Sequence, residues 1–267
     1  MSQLTDPRYL RTDQYKDASN LNARIEIHRR FSTNDHPWQR WVFDHLNVPE
    51  RSRILDVGCG PAHLWLENKD RIPFGWTVML GDLSSGMVRT ARHNLGTNHD
   101  RFRYRVLDAH VLPFLDRSVD AVVANHMLYH VSNMERALCE IHRVLRPTGQ
   151  LYATTNGLEH LRELRDLVTT YCPEAGTPNA AARFGLENGA AQLSGYFVGV
   201  TCVRREDALV VTEAEPLIAY AKSMIPESAW RQKRDVIARA VREQIATSGA
   251  IHIRKDSGMF EARSSNS

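Results

Sequence analysis

Three aspartates and a two-glycine turn are the residues of this chain best suited to hold a small ligand. Residues 54–60 read Ile-Leu-Asp-Val-Gly-Cys-Gly, and Pro61 follows. A short apolar run thus ends in the carboxylate of Asp56, turns at Gly58 and Gly60, and meets a proline suited to the first position of a helix. Strand, loop and helix in that order form the entry of a nucleotide-binding α/β sheet. The two glycines let backbone approach a ligand closely and take positive φ without a Cβ clash. Asp82 lies 22 residues beyond Gly60, at the end of the next apolar run, which is about the spacing at which an acid reaches a ribose diol.

The kind of nucleotide follows from what the loop lacks. A dinucleotide site wants a third glycine, in the pattern G-x-G-x-x-G, so that the helix can pack tightly beneath a pyrophosphate. Here that place holds His63. A carboxylate at Asp56 sits poorly beside a pyrophosphate and well beside an ammonium or sulfonium group. S-adenosylmethionine carries a ribose, an adenine, an amino group and a sulfonium, and no phosphate, so it suits this loop better. An NAD(P)-dependent oxidoreductase stays open as the competing reading, as does a cofactor-binding module without turnover.

Further along, four stretches stand in order: ILDVGCGP (54–61), MLGDLSSGMVRTAR (79–92), VLDAHVLPFLDRSVDAVVANHMLYHV (106–131) and IHRVLRPTGQLYATT (141–155). On these the chain resembles the class I S-adenosylmethionine-dependent methyltransferases, in particular their small-molecule (UbiE-like) branch. The resemblance implies a Rossmann-like, doubly wound α/β fold: a mostly parallel seven-stranded sheet with an antiparallel last strand, plus a helical cap or lid. It also implies site roles. Asp56 and the Gly58–Gly60 loop hold the methionine end, Asp82 bonds the ribose hydroxyls, and Leu83 and Met87 pack on the adenine. Asp108 and the amide of Ala109 read the adenine edge, and Asn125 closes the pocket at the end of strand four. Methyl transfer to a small acceptor at carbon, oxygen or nitrogen, in specialised metabolism, is the activity it implies. A modifier of bases would carry N/D-P-P-[FYW] at strand four, where this chain has Asn125-His126-Met127-Leu128.

These residues need a scaffold. The pattern predicts strands near 53–57, 77–81, 102–107, 119–124 and 150–155, with helices near 61–71, 84–95, 132–146 and 158–172. The alternation Arg-Phe-Arg-Tyr-Arg over 101–105 fits a strand with one wet face. Residues 1–50 read as an N-terminal helical segment covering the cofactor, with Tyr15 and Arg24 in reach of the methionine portion. Residues 51–157 form the binding core. The remainder, 158–267, completes the sheet and carries inserted lid helices at about 214–247; Arg204 to Asp207 reads as a turn between two short strands.

Transfer of a methyl group from a sulfonium is an in-line displacement with a good leaving group, so alignment and exclusion of water matter most. A base is needed only if the acceptor must lose a proton. His126, just after strand four, and His160, after strand five, stand at the carboxyl edge and are the catalytic candidates. Phe184 and Tyr196 are candidate walls for an apolar or aromatic acceptor. No third ligand stands at metal spacing beside His126 and His130, and Cys59, Cys139, Cys172 and Cys202 form no C-x-x-C pair.

Composition narrows the partners. With 34 basic and 31 acidic residues the net charge is +3, and no basic stripe with interleaved aromatics points to nucleic acid. The polar beginning and the lack of a long apolar run predict no signal peptide and no membrane partner, hence a cytoplasmic protein. The Trp-containing N-terminal helices can pack on a second subunit as well as on their own core, which keeps a homo-oligomer in view.

Overall fold

Apolar, β-branched runs build the centre of the molecule. β1 (Arg53–Val57), β2 (Thr77–Asp82), β3 (Phe102–Val106), β4 (Val119–Asn125) and β5 (Leu145–Asn156) pair in parallel, joined through α3 (His63–Glu67), α4 (Ser85–Leu95) and α5 (Met134–Val144). The computed structural model describes residues 5–6, 19–96, 101–176 and 179–265. Its seven strands lie in the order β3-β2-β1-β4-β5-β7-β6, with β7 (Ile251–Ser264) antiparallel between β5 and β6 (Phe197–Val211). This is the expected doubly wound α/β sheet with an antiparallel last strand.

Strands buried on both faces read as continuous apolar runs, and β1 and β4 do so. One face packs Leu55, Val57, Val122 and Ala124 against Leu138 and Ile141 of α5. The other packs Ile54, Val78, Leu80, Ala121 and Val123 against Trp65 of α3 and Phe43 of α2 (Trp38–Asp44). On β3, Phe102 is buried and Arg103 and Arg105 are exposed, as the alternation predicts.

Three local expectations need correction. The helix expected from residue 61 begins at His63, because Ala62 takes a left-handed conformation (φ 63°). Pro61 therefore belongs to the turn. The helix expected over 158–172 is α6 (Arg162–Tyr171), preceded by Leu161 in the same left-handed region (φ 52°). The largest correction concerns residues 204–207, which form no turn. β6 runs unbroken from Phe197 to Val211. Its charges alternate: Arg204 and Glu206 are exposed, whereas the side chains of Arg205 and Asp207 are 3% and 1% exposed and face each other.

This long strand has an architectural consequence. β5 ends where Asn156 pairs with Ser257, but β6 and β7 go on pairing from Glu206↔Asp256 to Val211↔Ile251. A two-stranded ribbon therefore overhangs the carboxyl edge of the parallel strands. A short helix, α7 (Gly189–Leu193), leads into β6, and the ribbon carries α8 (Ala214–Lys222) and α9 (Glu227–Ser248) between its strands. These helices, α6 and α1 (Ser19–Phe31) enclose a separate apolar cluster, including Ile27, Phe31, Leu164, Val168, Leu209, Leu217, Trp230, Ile237 and Ile253. The end of α1 is laced to the ribbon: Ser32 bridges Leu209, and Thr33 N–H donates to the Ala208 carbonyl at 2.9 Å. No helix among the described residues is long and apolar enough to cross a membrane.

Candidate active site

The carboxyl edge of β1 and β2 makes the first half of the site. Gly58 and Gly60 take positive φ (71° and 53°), and the Gly58 and Cys59 amides donate to the Gly81 carbonyl at 2.7 and 3.0 Å. The two glycines differ in their surroundings. A Cβ on Gly58 would lie 2.7 Å from Cβ of Met127, whereas one on Gly60 would meet nothing within 4 Å. The open space above Gly60 suits a ligand.

Beneath the loop, Asp56 is buried, and its Oδ2 accepts a hydrogen bond from Trp65 Nε1 at 2.7 Å. Its Oδ1 is buried without a partner. Burial pushes the carboxyl up to about 7, opposed by the Trp65 bond and aided by the charge of Asp82. Such a carboxylate suits a cationic ligand, which would restore its ordinary ionisation. Asp82 accepts from Ser84 N–H (2.8 Å) and Gly60 N–H (3.0 Å), and burial still holds its pKa above the usual carboxylate range. Asp82 thus stands on both the turn after β2 and the glycine loop. Leu83 lies next to it, half-buried, and Met87 is buried at the start of α4, which Ser84 caps by accepting from the Met87 amide at 3.3 Å.

Farther along the edge, Asp108 Oδ1 accepts from the His110 amide (2.9 Å) and pairs with His110 Nδ1 (2.6 Å); Ala109 beside it is buried. Asn125 closes the row at the end of β4. Its Oδ1 accepts from Thr154 Oγ1 (2.6 Å) and its Nδ2 donates to Gln39 Oε1 of α2 (3.3 Å).

The second half of the site lies under the ribbon. His126 adopts φ 55°, held by bonds from its amide to Oγ1 (2.9 Å) and the carbonyl (3.3 Å) of Thr154. Its Nδ1 is buried without a partner, its ring lies 5.0 Å from that of Trp38, and burial drives its pKa down to about 4. His126 is therefore neutral at neutral pH. His160 Nδ1 accepts from the Asp256 amide at 3.2 Å, which puts the imidazole proton on Nε2. Burial keeps it neutral too, so it offers a donor to a ligand. Its ring stacks 6.2 Å from that of His28, which burial holds at about 3.

The aromatic wall needs correction. Phe184 is fully buried, edge-on to Phe260 with ring centres 5.8 Å apart, and belongs to the sheet core. Tyr196 precedes Phe197, which pairs with Ser264, next to the Arg263↔Gln150 pair that begins the regular part of β5. It stands at the amino edge, at the far end of the strands from Asn125. Tyr15 lies outside the described residues. Arg24 ties α1 to the end of α8, donating to Ser223 Oγ (3.1 Å) and its carbonyl (3.0 Å). Sequence reasoning missed Trp38, Gln39, His28, Arg205 and Lys255 as site neighbours. Only the run of four charges at residues 204–207 gave any sign of Arg205, and none pointed to Lys255.

Residues 55–153 match the family model described as Methyltransferase domain. This stretch is similar to the methyltransferase domains of that family. The chain is 34% identical over 116 residues to the ubiquinone/menaquinone biosynthesis C-methyltransferase UbiE of Xanthomonas oryzae pv. oryzae, covering 42% of this chain and 46% of that protein. It is 37% identical over 116 residues to the malonyl-[acyl-carrier protein] O-methyltransferase of Geobacter sulfurreducens, covering 43% of each. The chain thus spans about half the length of the curated relatives it matches. In fold it is similar to the Haemonchus contortus phosphoethanolamine N-methyltransferase 2, with TM-score 0.61, 17% identity, and coverage of 100% of this chain and 61% of that one. It is equally similar to the [4+2]-cyclase SpnF, with TM-score 0.60, 19% identity and 97% of both chains covered.

Proposed function

We propose that the chain transfers a methyl group from S-adenosylmethionine to a small acceptor with an apolar or aromatic body, in specialised metabolism and in the cytoplasm. The observation that carries the donor half is the buried, unpartnered oxygen of Asp56 beneath a glycine loop with open space above it. A cation is the ligand that such an oxygen lacks. In this reading the loop and Asp56 hold the methionine end and Asp82 exchanges its amide partners for the ribose diol. Leu83 and Met87 flank the adenine, Asp108 and the Ala109 amide read its edge, and Asn125 closes the pocket. The donor supplies an activated methyl group, and the protein's part is alignment and dryness.

The acceptor half lies between the end of β4 and the ribbon, with the segment from α1 to α2 and the helices α8 and α9 as its lid. His126 offers a free imidazole nitrogen next to Asn125 and takes a proton where the acceptor must lose one; His160 steadies the acceptor by donating from Nε2. Asp82→Ala should weaken binding of S-adenosylhomocysteine roughly a hundredfold, about 3 kcal/mol, through two lost hydroxyl bonds to a carboxylate. Calorimetry measures this directly, and unchanged affinity would remove the donor reading. A fold does not dictate its chemistry, so turnover needs its own test. An acceptor panel with labelled methyl donor gives labelled product on this reading and none for a binding module.

A further inference from the structure

The strongest unexplained feature is an excess of buried positive charge beneath the ribbon. Asp207 on β6 and Lys255 on β7 are cross-strand partners, and Lys255 Nζ and Arg205 Nη1 both donate to Asp207 Oδ2. The three side chains are 1%, 8% and 3% exposed. Asp207 Oδ1 also accepts from Ser32 Oγ (2.7 Å), Asn34 N–H (3.2 Å) and Ala208 N–H (2.8 Å). Burial raises its pKa, but Lys255, Ser32 and Arg205 outweigh this and hold it below the usual range. Its acceptor capacity is taken up. Two cations therefore share one carboxylate, and no second carboxylate pairs with either cation among the described residues.

The donors around this excess are also incompletely used. Arg205 gives Nη2 to the His36 carbonyl, yet its buried Nε–H has no partner, nor has the Nε1–H of Trp38, whose ring centre lies 5.9 Å from the guanidinium carbon. Nδ1 of His28 and of His126 are buried without partners as well. A buried charge lacking a counter-charge costs several kcal/mol, as does each unmet buried polar group on a smaller scale. A structural clasp for the ribbon would be better built with charges balanced.

We propose that this cluster is the acceptor's anchor and that the acceptor carries a carboxylate. The inference rests on the methyl-transfer reading and adds the substrate class to it. One excess positive charge matches one negative charge, and two free N–H donors match the two oxygens of a carboxylate. The reach is appropriate: Arg205 lies over Trp38, Trp38 lies 5.0 Å from His126, and His126 follows Asn125 at the end of β4. The acid end meets the free N–H groups of Arg205 and Trp38, with Lys255 supplying the second positive charge beside them; the body lies along Trp38, and the atom to be methylated reaches the edge of β4.

Benzoate, cinnamate and 2-naphthoate, each beside its primary amide, together with phenyl phosphate, provide the test. Binding to the full chain is measured by calorimetry with and without S-adenosylhomocysteine. Acids should bind at least tenfold tighter than their amides, and Lys255→Met should abolish that preference while leaving S-adenosylhomocysteine affinity within twofold. Equal binding of acid and amide, no binding of either, or a preference that survives Lys255→Met overturns the anchor, whether or not S-adenosylhomocysteine binds. A tighter hold on phenyl phosphate than on every carboxylate overturns the assignment of the group. Failure of S-adenosylhomocysteine alone to bind removes the donor reading instead.

Discussion

The two halves of the site are made of different material. Under the glycine loop lie two acids: Asp56 has an unused buried oxygen, and Asp82 accepts from two backbone amides. Under the ribbon, cations and neutral imidazoles surround a single saturated carboxylate, Asp207. The proposed donor half rests on parallel strands buried on both faces, and the proposed acceptor half on an antiparallel overhang with an apolar cluster of its own. The carboxyl edge thus presents acids at β1 and β2 and cations at β6 and β7. A cationic donor and an anionic acceptor would be drawn to different ends of it.

The sharpest way to break this contrast is at the loop itself. Gly58→Ala should cost about 2–4 kcal/mol of stability, from a left-handed backbone and the clash with Met127. Gly60→Ala should cost about 1 kcal/mol in the free protein, since only the backbone term applies, yet it should weaken donor binding because the added methyl fills the space above the loop. Thermal unfolding and calorimetry on the two variants separate these effects. If both lose stability equally, the open space is not real.

Next in size is the junction of the halves. His126→Asn keeps a residue that tolerates positive φ and should lower kcat/KM for a protonated acceptor roughly a hundredfold, with donor affinity within about threefold. A matching loss of donor affinity would merge the two halves into one.

A smaller effect concerns pH. Asp56 titrates near 7 in the free protein, above its ordinary value, so its ionisation between about pH 4 and 7 opposes folding, and a cationic donor reverses that penalty. Donor affinity should therefore rise roughly tenfold from pH 6 to pH 8, with a proton released below pH 7. Calorimetry in buffers of different ionisation enthalpy counts that proton. The ribbon half should behave oppositely: His28 and His126 resist protonation when folded, so their contribution to stability falls as pH drops from about 6.5 towards 4.

The smallest effect is the most discriminating for geometry. Tyr196→Phe, at the amino edge, should leave kcat/KM within twofold.

The geometry of the proposed donor half was legible because its signals are local. An apolar run, a carboxylate and two glycines within seven residues specify a strand, a turn and a ligand contact together. Asp82 closed the set because the next strand must return beside the first. The proposed acceptor half was not legible, because its residues meet only through pairing of strands separated by α8 and α9. Arg205 and Asp207 look like ordinary turn charges along the chain, and only the register Asp207↔Lys255 brings them beside Lys255. Phe184 and Tyr196 misled for the same reason. Aromatic composition says that a ring will be buried but not at which end of a strand.

Met127 fills the volume that a side chain on Gly58 would need, and it is the residue immediately after His126. Whatever lifts or settles the loop must carry that thioether with it, and the imidazole rides on the same stretch of backbone. The two ends of the edge are geared together through a missing methyl group.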